Sequence, residues 1–370
     1  MASAQKRGKS WQYTISRKIN GKAAPIRKGG FRKKKEALAV AAEVETELRK
    51  GLVPQSKDEP FTTFFETWLN TYKPNISKNT RARYEDTLRT LKDFFKDKPI
   101  QQLNKRDYQH FLNEFGKSHA RSSSKKLNSH IRACVKDAID EGLIRSDFTR
   151  KAVLTGEKEK RAEEKHLHFE ESQFLLNYLY SNLSSNPTQY LILLALTSGM
   201  RFGELVGIQR EDFNFFNNTI KKNKTWGYTK KSSDGFGPTK NDQSVREIKR
   251  DEDVMNAFKG YFKETPENIH KLVFYSSSSK YKVISNTSAN NMLKKILSDL
   301  DIEPISIHGL RHTHASVLLY EDVSIYYVAE RLGHSNTDTT ISTYAHIVKE
   351  LRTQDEEKTI SVFKGMRRSS

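Results

Sequence analysis

Between Lys33 and Lys50 apolar residues recur at Ala37, Val40, Ala41, Val44 and Leu48, the spacing of a single helix face. The residues before them follow a different period. Trp11, Tyr13 and Ile15 alternate with polar neighbours, Asn20-Gly21 is a hairpin-turn dipeptide, and Ala23 to Phe31 reads as a returning strand. A small strand-strand-helix module is predicted over residues 1–55. Its competitor is a disordered basic tail, in which Trp11, Tyr13 and Phe31 would have nothing to pack against.

Gly51 to Pro60 carries two prolines and a Ser-Lys-Asp-Glu run and reads as a linker. Beyond it, Phe61 to Tyr72, Asn79 to Phe95, Asn104 to Phe115 and Ser122 to Glu141 each show helical spacing. Ser77 or Lys78 starts the second of these and Gly142 ends the last, so residues 60–155 are expected to form a helical bundle. Phe148 to Lys165 is charged and poor in large apolar residues, a second linker. The last domain, 165–370, opens with helices over Phe169 to Tyr180 and Pro187 to Leu196. Strand-like stretches follow near Thr219, Val245 to Ile248 and Leu272 to Tyr275, and helices return after Thr287. The predicted fold class is multidomain and mainly α: a small α+β N-terminal module, a helical bundle, and a mixed, mainly-α domain with a small β-sheet or hairpin.

Charge changes the picture most. The 370-residue chain has a net charge of +19, with a pI near 9.6 and a mean hydropathy of −0.75. Such an excess of cations points to a polyanion, nucleic acid before membrane. The first 50 residues hold 14 Lys and Arg against 4 Glu, more than half of that excess. Lys9, Trp11, Arg17, Lys18, Arg27 and Lys28 are candidate contacts there. On the second and fourth helices Arg81, Arg83, Arg89, Lys125, Lys126 and Arg132 either face phosphates or form an ordinary solvated face. A membrane span is not expected, because the run Leu191 to Leu196 is far short of the ~20 residues a bilayer requires. The basic N-terminus has no apolar region behind it and reads as no secretory signal. One cysteine, Cys134, leaves no internal disulfide framework and no Cys-based metal cluster. The cytoplasm is the expected compartment.

Several short pieces carry chemistry. In Thr197 to Leu205 an arginine, Arg201, follows a helix-ending Gly199, and Glu204 stands three residues on, positioned to brace it. Its bland counterpart is a surface ion pair. His308-Gly309-Leu310-Arg311-His312-Thr313-His314 places His308 and Arg311 on one helix face, and His314 with Arg311 on another. His308 and His312 also have zinc-helix spacing, but no Glu follows His308 as a metalloprotease requires. Leu332-Gly333-His334 comes next, and Tyr344 stands ten residues beyond that histidine.

In this order the pieces resemble the signature of the tyrosine site-specific recombinases of the phage-integrase family, and the resemblance covers the whole chain. It implies an arm-type DNA-binding module (1–55), a core-binding, SAM-like domain (60–155) and a catalytic domain (165–370). Arg201 and Arg311 match the two catalytic arginines, His308 and His334 the two histidines, Tyr344 the nucleophile, and Glu204 a supporting acidic position. The family's hairpin lysine matches Lys240, in Gly237-Pro238-Thr239-Lys240, with Lys230 and Lys231 as competitors.

By that resemblance the chain is an integrase of a phage or other mobile element, cleaving and rejoining DNA through a covalent 3′-phosphotyrosine without cofactor or metal. Implied partners are double-stranded core and arm attachment sites, a homotetramer that exchanges strands through a Holliday junction, and accessory host DNA-bending and excision proteins, all in the nucleoid-associated cytoplasm of a bacterial host. The late apolar run Thr359 to Phe363 would dock on a neighbouring protomer. Alternatives are a catalytically idle DNA-binding regulator and a type IB topoisomerase-like enzyme that relaxes DNA.

These residue types suit phosphoryl transfer for physical reasons. Attack on a phosphodiester spreads negative charge over the non-bridging oxygens, and planar guanidinium forks can hold those oxygens without losing a proton. A phenol is a poor nucleophile at neutral pH and needs a base or cationic surroundings, where His308 could help. The departing 5′ oxygen needs a proton, which a lysine ammonium can give, and His334 would hydrogen-bond the phosphate. No nucleotide-binding glycine loop and no acidic cluster for paired magnesium ions stands out.

Overall fold

The computed structural model describes residues 2–19, 22–49, 58–158, 166–184, 186–230, 235–239 and 242–366. They fall into two compact units, Met1–Glu159 and Lys160–Ser370.

In the first unit, β1 (Ala2–Arg7), β2 (Ser10–Ile15), β3 (Lys18–Ile19), β4 (Lys22–Ala23) and β5 (Ile26–Phe31) precede α1 (Lys34–Arg49). β2 is the middle strand of an antiparallel sheet ordered β1-β2-β5, while β3 and β4 pair with each other. The single returning strand expected over Ala23 to Phe31 is therefore two pieces. Pro25 lies between them and has no N–H to give to a ladder. β1 is an addition to the sequence reading. Tyr13 and Ile15 of β2 pack against Ala37 and Ala41 of α1, all buried.

Next come α2 (Phe61–Tyr72), α3 (Lys78–Phe95), α4 (Lys105–Gly116) and α5 (Arg121–Asp140). Ser77 caps α3 by accepting from the Thr80 amide, and Asn104 caps α4 through the Arg106 and Asp107 amides. These helices bury Phe61, Phe65, Trp68, Leu91, Tyr108, Phe111 and Ile131 together. Trp68 would strand its N–H in this core, and it donates instead to Asp137 Oδ2 at 2.6 Å. Residues 51–57 of the first expected linker, and 159–165 of the second, lie outside the described residues.

The second unit runs through α6 (Phe169–Asn182), α7 (Pro187–Ser198), α8 (Phe202–Leu205), β6 (Phe213–Asn214), β7 (Thr219–Lys222), β8 (Thr225–Trp226), β9 (Phe236–Gly237) and β10 (Arg246–Lys249). It continues with α9 (Glu252–Glu264), α10 (Asn286–Asp299), α11 (Ile307–Tyr320), α12 (Ile325–Leu332) and α13 (Thr337–Met366). α7 is buried on every side from Tyr190 to Leu196, which accounts for its uninterrupted apolar run. β7 is central in an antiparallel sheet ordered β10-β7-β6, with Ile220 opposite Ile248, both buried. The strand expected at Leu272 to Tyr275 forms only isolated bridges, Gln209 to Leu272 and Tyr275 to Val283. Among the described residues no helix is long and apolar enough to cross a membrane.

Candidate active site

Two glycines set the site's backbone. Gly199 ends α7 and Gly333 ends α12, both left-handed, at φ 64° and 69°. Both are also hemmed in: a Cβ on Gly199 would lie 2.7 Å from the His314 ring, and one on Gly333 would lie 2.8 Å from Arg246 Nη1 and 3.0 Å from the Gln243 carbonyl. The turn after α7, the end of α12 and the start of β10 therefore meet with no room for a side chain.

Arg201 emerges from the first turn and caps α8. Its Nη1 donates to Glu204 Oε1 at 3.0 Å and to Ser244 Oγ at 3.4 Å, and its Nη2 to the Gly333 carbonyl at 3.3 Å. Glu204 is only 3% exposed. It also receives Lys222 Nζ at 3.0 Å and Arg246 Nη2 at 3.3 Å. Burial alone would push this carboxyl up, but the charges of Arg246, Lys222 and Arg201 outweigh it and hold Glu204 at about 2. Lys222 is pulled down to about 8, by burial first and by the two arginines, with Glu204 opposing. Its ammonium is committed to Glu204 and to the Ser244 carbonyl at 2.7 Å. Arg246 ties this network to α12 by donating Nε to the Arg331 carbonyl at 2.6 Å.

Arg311 comes from α11 and is buried. Its Nη1 donates to the Gly199 carbonyl at 2.7 Å and its Nη2 to the Leu332 carbonyl at 2.9 Å. The two arginines thus reach consecutive carbonyls, Leu332 and Gly333, immediately before His334. Burial and the Arg201 charge bring Arg311 down to about 9, which still leaves it charged at neutral pH.

The same cations act on the histidines. His308 is lowered by burial and by Arg311 and Arg201, so it is neutral near pH 7. His334, bonded through Nδ1 to Thr340 Oγ1 at 2.7 Å, is pushed down to about 4 by burial, Arg311 and Arg201. His314 has a supporting place: its Nδ1 meets the Leu196 carbonyl at 2.9 Å, and its Nε2 accepts from Arg331 Nε at 3.0 Å. That pairing fixes the neutral tautomer with the proton on Nδ1, and burial chiefly lowers the ring to about 4.

Tyr344 stands at a break in α13, with φ −111° and ψ 18°. Its ring is 2% exposed among Ala315, Leu319, Val328 and Leu332. The hydroxyl meets His312 Nδ1 at 3.0 Å. Burial raises this phenol to about 12, with the Arg311 charge pulling the other way. The His308 and His312 rings meet edge-on, centroids 5.1 Å apart. Among the described residues no group of three His, Cys, Asp or Glu side chains is placed to hold a metal ion.

The structure therefore brings Arg201, Glu204, His308, Arg311, His334 and Tyr344 into one region. Lys240 and its competitor Lys231 lie outside the described residues, and Lys230 is exposed. Sequence reasoning missed Lys222, Arg246 and His312 as parts of the site. Lys222 was open to discovery, since it alternates with buried Ile220 along β7 and so shares its inward face. Of the candidate DNA contacts, Arg81 is engaged by Glu85 at 3.2 Å and Asn70 at 2.6 Å, and Arg89 pairs with Asp86. Arg83, Lys125, Lys126 and Arg132 are exposed on α3 and α5. In the N-terminal module Lys9, Lys18, Arg27 and Lys28 are exposed, Arg17 and Trp11 half-buried, and the Trp11 ring lies under Lys34 Nζ at 5.8 Å.

Residues 165–350 match the family model described as "Phage integrase family". Residues 60–116 match "Phage integrase, N-terminal SAM-like domain", and 3–48 match "Arm DNA-binding domain". The chain is similar to a tyrosine recombinase XerC-like protein of Caldanaerobacter subterraneus subsp. tengcongensis, 27% identical over 95% of each chain. It is similar also to the integrase of Staphylococcus phage L54a, 26% identical over 85% of this chain and 98% of that one. Among solved structures, the Tn1549 transposon integrase in complex with transposon right end DNA shares the fold, with a TM-score of 0.68 and 18% identity over 81% of this chain and 99% of the other.

Proposed function

Because the chain belongs to the phage integrase family, we propose that it is a site-specific DNA recombinase of a mobile element, cutting and rejoining DNA through a 3′-phosphotyrosine at Tyr344. The observation that carries this reading is the meeting of Arg201 and Arg311 on the consecutive carbonyls of Leu332 and Gly333, with Tyr344 close enough to Arg311 to feel its charge. A scissile phosphate held by the two guanidiniums would have its non-bridging oxygens neutralised as attack proceeds. Neutral His308 and His334 would donate or accept hydrogen bonds there without adding charge. Glu204, Lys222 and Arg246 hold Arg201 in place from behind.

Tyr344 attacks phosphorus, the 5′ oxygen departs with a proton from Lys240, and the ester keeps the energy of the broken bond for rejoining. Lys240 is the proposed acid on its place in the sequence, six residues before Arg246, the first residue of β10. The N-terminal module is assigned to arm-type sites and the α2–α5 bundle to core sites. The working form is a tetramer on two DNA sites in the cytoplasm of a bacterial host. The exposed Ile360, Val362 and Phe363 of α13 are suited to cover a neighbouring protomer.

The test is to incubate the protein, and Tyr344→Phe, with nicked duplexes tiled across the DNA flanking its gene, and to look for an SDS-resistant adduct. An adduct from the wild type alone is expected. Binding without any adduct would make the chain a DNA-binding regulator.

A further inference from the structure

Given Tyr344 as the nucleophile, we propose that His312 is the catalytic base, the group that takes the phenolic proton as Tyr344 attacks and returns it when the strand is rejoined. A buried phenol cannot hand its proton to bulk water, so an acceptor must stand against its oxygen. His312 Nδ1 does so at 3.0 Å, within proton-transfer range. Among the described residues no hydrogen bond joins His308 or His334 to that oxygen. His308 stands one helical turn earlier, its ring edge-on to that of His312, and a proton placed on it would face the charges of both Arg311 and Arg201.

His312 adjoins Arg311 in sequence but is half-buried rather than buried. Among the described residues, titratable groups that act on it include Tyr344, His308 and His334. To accept, its ring is neutral with the proton on Nε2, which leaves the Nδ1 lone pair on the hydroxyl.

The step balances within the chain. The Oη–H bond breaks and its proton moves to Nδ1. The Oη–P bond forms, the P–O5′ bond breaks, and the 5′ oxygen takes a proton from the Lys240 ammonium. Rejoining runs each transfer backwards: the attacking 5′ hydroxyl returns its proton to Lys240, and the departing phenolate recovers its own from His312. The enzyme ends as it began.

The experiment is single-turnover cleavage of a nicked duplex by the full-length protein and by His312→Asn, with DNA binding measured alongside. Asparagine keeps an acceptor oxygen near the Nδ1 position but does not take a proton. Cleavage should fall about 10²- to 10⁴-fold, with binding intact. The substrate is also prepared with sulfur in place of the bridging 5′ oxygen. Sulfur departs without a proton, so it should repair Lys240→Ala and leave the His312→Asn defect standing. His312→Asn cleaving within about threefold of wild type, or restored by the sulfur substrate, would overturn the assignment. Should the wild type itself form no adduct, the recombinase reading falls and this assignment with it; an adduct from wild type and His312→Asn alike removes only the assignment.

Discussion

Replacing Glu204 by glutamine keeps its shape and takes away the carboxylate that, among the described residues, pairs with Arg201, Lys222 and Arg246. The cost follows from the carboxyl's position. An ordinary glutamate titrates near 4.5 and Glu204 is held at about 2. With each tenfold change in proton affinity worth about 1.4 kcal/mol, the carboxylate contributes roughly 3 kcal/mol at neutral pH. Removing one partner of a buried charge pair usually costs about 3–5 kcal/mol. Lys222, already lowered to about 8, can shed its proton once the carboxylate is gone, which holds the loss near the bottom of that range. For a unit of roughly two hundred residues, about 3 kcal/mol lowers the melting temperature by ~6–12 °C. The sign with pH is fixed. A carboxyl whose folded pKa is depressed stabilises above its unfolded pKa and loses that contribution as pH falls. The gap between wild type and Glu204→Gln should therefore be full above pH 4.5 and close towards pH 2. Calorimetry of both proteins across this range is the assay. A difference under about 2 °C at pH 7, or one that does not narrow in acid, would refute the electrostatic account of Glu204.

Gly333→Ala should cost about 1–2 kcal/mol from its left-handed backbone alone, with the Cβ contacts on Arg246 and Gln243 adding to it. Because the Leu332 and Gly333 carbonyls hold both arginines, its cleavage rate should drop far more than its DNA affinity, which parallel binding and single-turnover assays would show. Lys126→Gln should weaken core-site binding and lower the salt-dependence slope by about one. Arg81→Gln, whose guanidinium is already engaged by Glu85 and Asn70, should change the slope much less. Binding titrations from low to moderate salt compare the two.

What was legible in the sequence was what local chemistry fixes. Gly199 and Gly333 mark helix ends because left-handed caps favour glycine, and Glu204 braces Arg201 because residues three apart on a helical turn meet. The helices of the bundle were readable from spacing alone. β1 was not, since Ala2 and Ala4 are too small to give an alternating apolar signal. Leu272 to Tyr275 reads as a strand because it is apolar and short, yet its burial comes from isolated bridges and the surrounding core. Alternation with Ile220 put Lys222 on the inward face of β7, but a lysine there reads as solvated until the fold supplies Glu204, which makes its burial tolerable. His312 offered zinc-helix spacing with His308, and only the tertiary fold reveals that it faces Tyr344.

The central claim is that Tyr344 becomes joined to DNA. Trapping the adduct on a nicked duplex, digesting protein and DNA, and sequencing the modified peptide by mass spectrometry tests it directly. A 3′-phosphonucleotide on the phenolic oxygen of Tyr344 is the predicted result. A nucleotide carried by any other residue, or an adduct that persists in Tyr344→Phe, would contradict it.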